Sequence, residues 1–374
     1  MRLNFKRSKV KPTSVTVDLS AMAGESFMKF CMRAYDFLAP HVKESQRRKH
    51  LNFSEGRRHL DARNFAAAER HLHQALSDRA TNSHKRRVEV LVALAETQIR
   101  LGKFDTAETT ARSAMEVATK SRDHANQTVA LESLAGVQLH NKRYAEAEQT
   151  IVQMQDLEQG KSKPDHAFLA RCARMQAAAL RHGGRPADAL KASRRAVELS
   201  EQGAGPNHLD TGNALAELGA LHTQQGNQAE AQKCIRRALE IHRGEHGADS
   251  AEATKDLVLL ATSLAESGDL QGAAAEYEKV LTLRDRQVGG DRHEDAETQV
   301  RLAILYLQTE RFPAARELLV TAVATLERKG GDSLPLALSA LAFIEEHSGR
   351  PAAADSLRQR AAKLAPKASA PVPS

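Results

Sequence analysis

The stretch Gly226–Ala238, GNQAEAQKCIRRA, holds alanine at 231 and 238, where a helix could carry larger apolar side chains. The same pair stands at Ala189 and Ala196 before it and at Ala315 and Ala322 after it. From Ala189 to Ala231, to Ala273 and to Ala315, the step is 42 residues each time. A fixed period of that length means one supersecondary unit repeated along the chain, not several unrelated domains sharing its 374 residues.

Alignment on the small residues yields eight copies. A first small position is filled by Gly56, Ala95, Ala135, Ala177, Gly219, Ala261, Ala303 and Ala342. Twelve residues on come Ala68, Ala107, Ala147, Ala189, Ala231, Ala273, Ala315 and Ala354. Seven further on stand Ala75, Ala114, Met154, Ala196, Ala238, Val280, Ala322 and Ala361, of which only Met154 and Val280 exceed alanine. Between the first and second positions runs a break such as RLGKFDTA, QQGNQAEA or ESGDLQGA, where Gly102, Gly184, Gly226, Gly268 and Gly349 can end a helix in the left-handed conformation. Each copy therefore reads as helix, tight turn, helix. The first small residue lies midway along the first helix and the second lies early in the next, so the two backbones can cross closely there. Ala231 is predicted to be small because it faces Gly219 across that crossing.

Apolar residues at i and i+3 complete the first helix of each copy, as in Leu91, Leu94 and Gln98, Leu215, Leu218 and His222, or Leu257, Leu260 and Leu264, with the position at i+7 variable. Phe104, Tyr144, Leu270 and Phe312 follow the turn and are expected to pack it shut. One such hairpin cannot bury its own apolar face, so neighbours must stack. Composition agrees: helix-favouring residues dominate, aromatics are 4% and tryptophan is absent, too few large rings for most sandwiches or barrels.

This pattern resembles the tetratricopeptide repeat over residues 46–364. The resemblance implies an all-α, right-handed superhelical solenoid of about eight helix-turn-helix repeats, used as a protein-interaction scaffold whose concave groove, lined by the first helices, receives a peptide or protein surface. The 42-residue period and connectors such as GAGPNHLDT and GEHGADSAEA resemble the kinesin light chain-like subclass common in bacteria. The asparagines with which that subclass grips peptide backbone are replaced by Ala216, Val258 and Val300. The carboxylate-clamp asparagine of chaperone-binding members is replaced by Arg57, Glu96, Gly136 and Ala178. Neither ligand class carries over.

Arg171, Arg174 and Arg181 share one face of the helix in DHAFLARCARMQAAALRHGG. They either form a row of guanidinium groups suited to an acidic or phosphorylated segment, or pair with Glu96 or Glu132 of neighbouring helices, or are simply solvated. His242 with His246, and His71 with His73, come nearest to metal-ligand spacing but lack a third ligand, and no metal or cofactor is expected. Gly203–Gly205 reads as an inter-repeat linker and Cys172 as a buried thiol; no nucleophile elbow or Walker sequence is present, so the chain reads as non-catalytic.

Cys31, Cys172 and Cys234 form no paired motif, consistent with a reducing cytoplasm. Residues 1–49 hold 11 Lys+Arg against 4 Asp+Glu, leaving 43 of each sign in the remainder, so the net charge of +7 resides entirely in that segment. Residues 1–45 are expected to be a basic leader with an amphipathic helix, in which Phe27, Phe30, Phe37 and Leu38 either cap the first repeat or dock on a membrane, nucleic acid or partner through residues 1–43. Residues 365–374, APKASAPVPS, read as a disordered tail. A regulatory subunit of an enzyme is a further reading compatible with the scaffold fold.

Overall fold

The computed structural model describes residues 51–77, 83–121, 123–286 and 292–364, so the expectations for the basic leader and the tail lie outside the described residues. Among the described residues there are sixteen α-helices and no strand. Two compact units divide the chain, the first up to Ser133 and the second from Leu134. The first contains α1 (51–61), α2 (Phe65–Ser77), α3 (His84–Arg100) and α4 (Phe104–Ser121), and α5 (His124–His140) spans the division. The second contains α6 (Tyr144–Gln159), α7 (His166–His182), α8 (Pro186–Gly203), α9 (Leu209–Gln224), α10 (Gln228–His246) and α11 (Ala251–Glu266). It continues with α12 (Leu270–Arg286), α13 (Arg292–Gln308), α14 (Phe312–Lys329), α15 (Leu334–His347) and α16 (Pro351–Leu364).

Several first helices start at a side-chain cap. Asp165 caps α7 by accepting from the N–H groups of Ala167 and Phe168 at 2.9 and 3.2 Å, and Ser83 and Ser250 cap α3 and α11 in the same way. Within each hairpin the turn is a Schellman motif. Gly268 N–H donates to the Ala265 carbonyl and Asp269 N–H to the Leu264 carbonyl, closing α11 before α12 begins. The same two bonds close all eight hairpins, and the residue between them always has a positive φ. Five of these residues are the glycines that the sequence marks. Arg63, Lys142 and Glu310 hold the other three turns at φ 58–59° without glycine's freedom.

Packing follows the small residues. All eight copies bury all three small positions. A Cβ added to Gly219 would come within 3.2 Å of the Ala231 carbonyl oxygen and 2.5 Å of Ile235 Cγ1, so α9 and α10 cross almost backbone to backbone at Ala231. Inside the second unit the hairpins α7–α8, α9–α10, α11–α12, α13–α14 and α15–α16 each pack on the next, and first helices also touch directly, α9 on α11 and α13 on α15. A single apolar cluster runs from Ala231 and Ile235 through Leu260, Leu302 and Leu319 to Leu338 and Ala361.

The residues after the turns behave differently from expectation. Phe104 is 39% exposed. Tyr144 stacks on His182 of the following hairpin with ring centroids 5.5 Å apart, and Phe312 lies 6.2 Å from the His347 ring and 6.4 Å from the Phe343 ring on α15. These rings bridge successive hairpins; the Schellman hydrogen bonds close the turns.

Candidate functional site

In the first helices of the second unit, the positions six and three before the first small residue, and one, four and five after it, form a strip along one face, on which Thr223 of α9 and Val300 of α13 are buried. On α7 these are Arg171, Arg174, Ala178, Arg181 and His182, of which Arg171 and His182 are exposed and the others half-buried. The three arginines lie on one face of α7, Arg171 exposed and Arg174 and Arg181 half-buried.

Their surroundings are specific. Arg174 grips Glu217 of α9 with both arms of its guanidinium, Nε to Oε2 at 2.9 Å and Nη2 to Oε1 at 2.5 Å. The hydrogen bond that Arg174 donates to Glu217 holds its pKa above the ordinary arginine value, against the opposing effect of burial. For Arg174 the partner is thus Glu217 of the following first helix. Arg171 lies over the Phe168 ring at 5.2 Å, one turn back on its own helix. Arg181 Nη2 donates to His182 Nε2 at 2.9 Å, which requires a neutral imidazole; burial and then the Arg181 charge keep the His182 pKa low, in keeping with that bond.

Farther along the same strip the chemistry changes. On α9 and α11 it holds the half-buried Ala216, Ala220, Val258 and Ala265, with Lys255 and Glu266 exposed beside them on α11. On α13 it presents the half-buried Ile304 and Leu307, and on α15 Leu336 and Phe343, which are 52% and 43% exposed. Phe343 packs against His347 with ring centroids 4.0 Å apart. Sequence reading missed these two residues, although they stand in the registers of Arg171 and Ala178 and the period could have located them.

The histidines separate. His242 turns inward, its side chain 2% exposed, and Nδ1 meets Asp256 Oδ2 of α11 at 2.6 Å, while His246 is exposed. His71 stacks on His59 with centroids 5.3 Å apart, and His73 is exposed. Neither sequence pair forms a ligand set, and no group of three His, Cys, Asp or Glu side chains suited to a metal occurs among the described residues. Cys172 is fully buried. Gly203 closes α8 where an added Cβ would strike the Ala167 amide at 2.5 Å, so the glycine serves close helix packing at the linker. No described helix is long and apolar enough to cross a membrane.

The tetratricopeptide repeat family matches residues 169–244 and 251–328. No curated protein matches in sequence. Among solved structures, BtubC (BKLC) from P. vanneervenii is 18% identical, with 61% of this chain and 92% of that one covered at a TM-score of 0.57. The apo form of the quorum sensor NprR from B. thuringiensis is 14% identical, with 90% and 94% covered at a TM-score of 0.62. The apo form of RapI is 13% identical, with 79% and 80% covered at a TM-score of 0.59. At these identities the likeness is one of fold. With the small residues buried in every hairpin, a Schellman turn in each, a 42-residue step through the central copies and the family match across them, residues 169–328 are tetratricopeptide repeats, and the other described hairpins share their packing.

Proposed function

We propose that the protein is a non-catalytic interaction scaffold that receives an acidic or phosphorylated segment of a partner protein on the first-helix strip, with Arg171, Arg174 and Arg181 as its recognition residues. One observation carries the reading: Arg174 already holds a carboxylate bidentately on that strip, supplied by Glu217. The Glu217 carboxylate is an exchangeable stand-in, because the pair is solvent-facing, with side-chain exposures of 27% and 46%, and such pairs contribute only about 0–1 kcal/mol. The neighbouring structures include a quorum sensor, which supports a recognition role for this fold without naming the ligand.

The test is affinity capture from the native host at low and at raised salt, using the wild-type protein and the R171Q/R174Q/R181Q variant. Charge pairs at an exposed site are screened over about 8 Å at physiological ionic strength, so capture should weaken with salt. The triple variant should lose the partner while keeping the wild-type melting temperature, because none of the three side chains lies in the buried core. Equal capture by the variant would return the arginines to an internal pairing role.

A further inference from the structure

We infer that residues 1–49 carry a membrane-surface anchor: the stretch from Glu25 to Pro40 lays its apolar face into an anionic lipid bilayer, and the cations on either side of it bind the headgroups. The inference is independent of the first-helix strip. It decides between the roles that the sequence leaves open for Phe27, Phe30, Phe37 and Leu38, a cover for the first hairpin or a dock on another surface.

The first hairpin argues against the cover. Four residues and one residue before the first small position, most of the other first helices bury a leucine pair, such as Leu91 and Leu94 on α3, Leu257 and Leu260 on α11 and Leu338 and Leu341 on α15. On α7 and α13 one of the two positions stays apolar and buried, as Ala173 and Leu302. These are the residues that receive the hairpin before them: Leu94 clusters with Leu72 and Ala75, and Leu257 with Leu239. On α1 both positions are polar, Asn52 and Glu55, and Glu55 pairs with the exposed Arg58 at 2.7 Å. Leu51 is the one exposed large apolar side chain on α1 and α2, and Phe53 is taken up by the Arg86 guanidinium, 5.2 Å from its ring centroid. Four large apolar side chains laid there would strip water from Asn52, Glu55 and Arg58 and gain little apolar contact in return.

A bilayer surface offers what that hairpin lacks. At helical spacing, Phe27, Phe30, Ala34, Phe37 and Leu38 fall on one arc, and Lys29, Arg33 and Asp36 on the opposite one. The stretch ends at Pro40 and is shorter than the roughly 20 apolar residues a crossing needs, so it suits the surface plane. Arg2, Lys6, Arg7, Lys9 and Lys11 precede it and Lys43, Arg47, Arg48 and Lys49 follow it, while the acids of residues 1–49 are Asp18, Glu25, Asp36 and Glu44. An inserted apolar face and basic flanks are two signals that together hold a peripheral protein on anionic lipid. Duplex nucleic acid would satisfy the cations but leave Phe27, Phe30, Phe37 and Leu38 in water, so the apolar face selects lipid.

The chain has no tryptophan, so F30W places a single indole fluorophore on that face. The full-length variant is titrated with phosphatidylcholine vesicles, with vesicles that also contain phosphatidylserine, and with duplex DNA. The expected results are emission of a water-exposed indole in buffer, a blue shift on the phosphatidylserine vesicles, and quenching there by brominated acyl chains. Affinity for those vesicles should fall at least tenfold in K43Q/R47Q/R48Q/K49Q and at raised salt, since exposed charge is screened over about 8 Å at physiological ionic strength. F27S/F37S in the same background should bind at least tenfold more weakly and keep the F30W melting temperature. An indole already blue-shifted in buffer and unmoved by vesicles, or a melting temperature lowered by F27S/F37S, would overturn the inference in favour of the cover. A response to DNA alone would overturn it in favour of nucleic acid. Equal affinity for vesicles with and without phosphatidylserine would overturn the choice of anionic lipid, and no response to any of the three probes would overturn the anchor itself.

Discussion

Ala231 and Glu310 are informative single residues in opposite senses. Ala231 is fully buried at the crossing of α9 and α10, where the distance to a hypothetical Gly219 Cβ is already 3.2 Å from its carbonyl oxygen. Ala231→Leu is therefore expected to cost about 1–3 kcal/mol through overpacking. Ala229→Leu, on the exposed side of the same helix, should cost little in the same urea melt. Glu310 occupies a turn position that is glycine in five of the eight hairpins and does so at φ 59°. The left-handed conformation crowds its Cβ against the backbone. Glu310→Gly should accordingly raise stability by about 0.5–1 kcal/mol, the relieved strain exceeding the entropy that glycine adds to the unfolded chain. A lower urea midpoint for that variant would show that the turn tolerates the side chain without strain.

Between elements, the junction of α10 and α11 contains a buried polar pair, and its pH response can be worked out. Asp256 and His242 are both nearly inaccessible and meet at 2.6 Å, while His242 Nε2 has no hydrogen-bond partner and faces Gly212, whose missing Cβ leaves the ring its space. Burial pushes the Asp256 carboxyl up to about 6, against the lowering effects of His242 and, more weakly, Arg243; Glu252 adds to the rise. The native state therefore holds this proton more tightly than the unfolded chain. Its contribution is favourable at low pH and is lost as pH rises from about 4 to about 6, a change of roughly 2–3 kcal/mol. Other carboxylates titrate over the same range, so the informative quantity is the difference from Asp256→Asn, which keeps an acceptor for His242. Relative to wild type, D256N should gain about 2–3 kcal/mol between pH 4 and pH 6.5 in urea titrations. A difference that stays flat would mean that Asp256 is ionised throughout.

Across the molecule, the hairpins obey one packing rule until α16. The position four residues after the second small residue is buried as Leu72, Ala111, Ile151, Ser193, Ile235, Tyr277 and Leu319, but in the last hairpin it is Arg358, with a side chain 47% exposed. Arg358 pairs with Glu346 and Asp355, and Arg360 pairs with Glu327, so α16 presents charge where the earlier hairpins bury an apolar group or, at Ser193, a hydroxyl. Among the described elements α16 packs extensively only on α15, and a solenoid face without a neighbouring hairpin stays soluble by being polar. Arg358→Leu should cost at most about 1 kcal/mol in lost exposed ion pairs. It would also extend an apolar surface beside Leu336, Ala361 and Ala362, so self-association that rises with concentration is expected in sedimentation velocity. A variant that stays monomeric would mean that the charge is incidental to capping.

The period, the hairpin unit, the small crossing residues and the glycine turns were all legible in the chain, because each reflects a local backbone demand or a contact repeated eight times in register. The placement of Arg171, Arg174 and Arg181 on one helix face was legible for the same reason. Only the tertiary structure decided which groups those side chains meet. Arg174 pairs with Glu217, 43 residues away. Phe312 reaches the next hairpin's rings, and His242 turns from its sequence neighbour His246 to Asp256. Periodicity determines the face on which a residue lies, whereas its partner depends on how neighbouring hairpins stack and on the space left by side chains as small as Gly212. That stacking also leaves Phe343 open while half-burying Ile304 in the equivalent register of α13, a distinction that residue type alone does not contain.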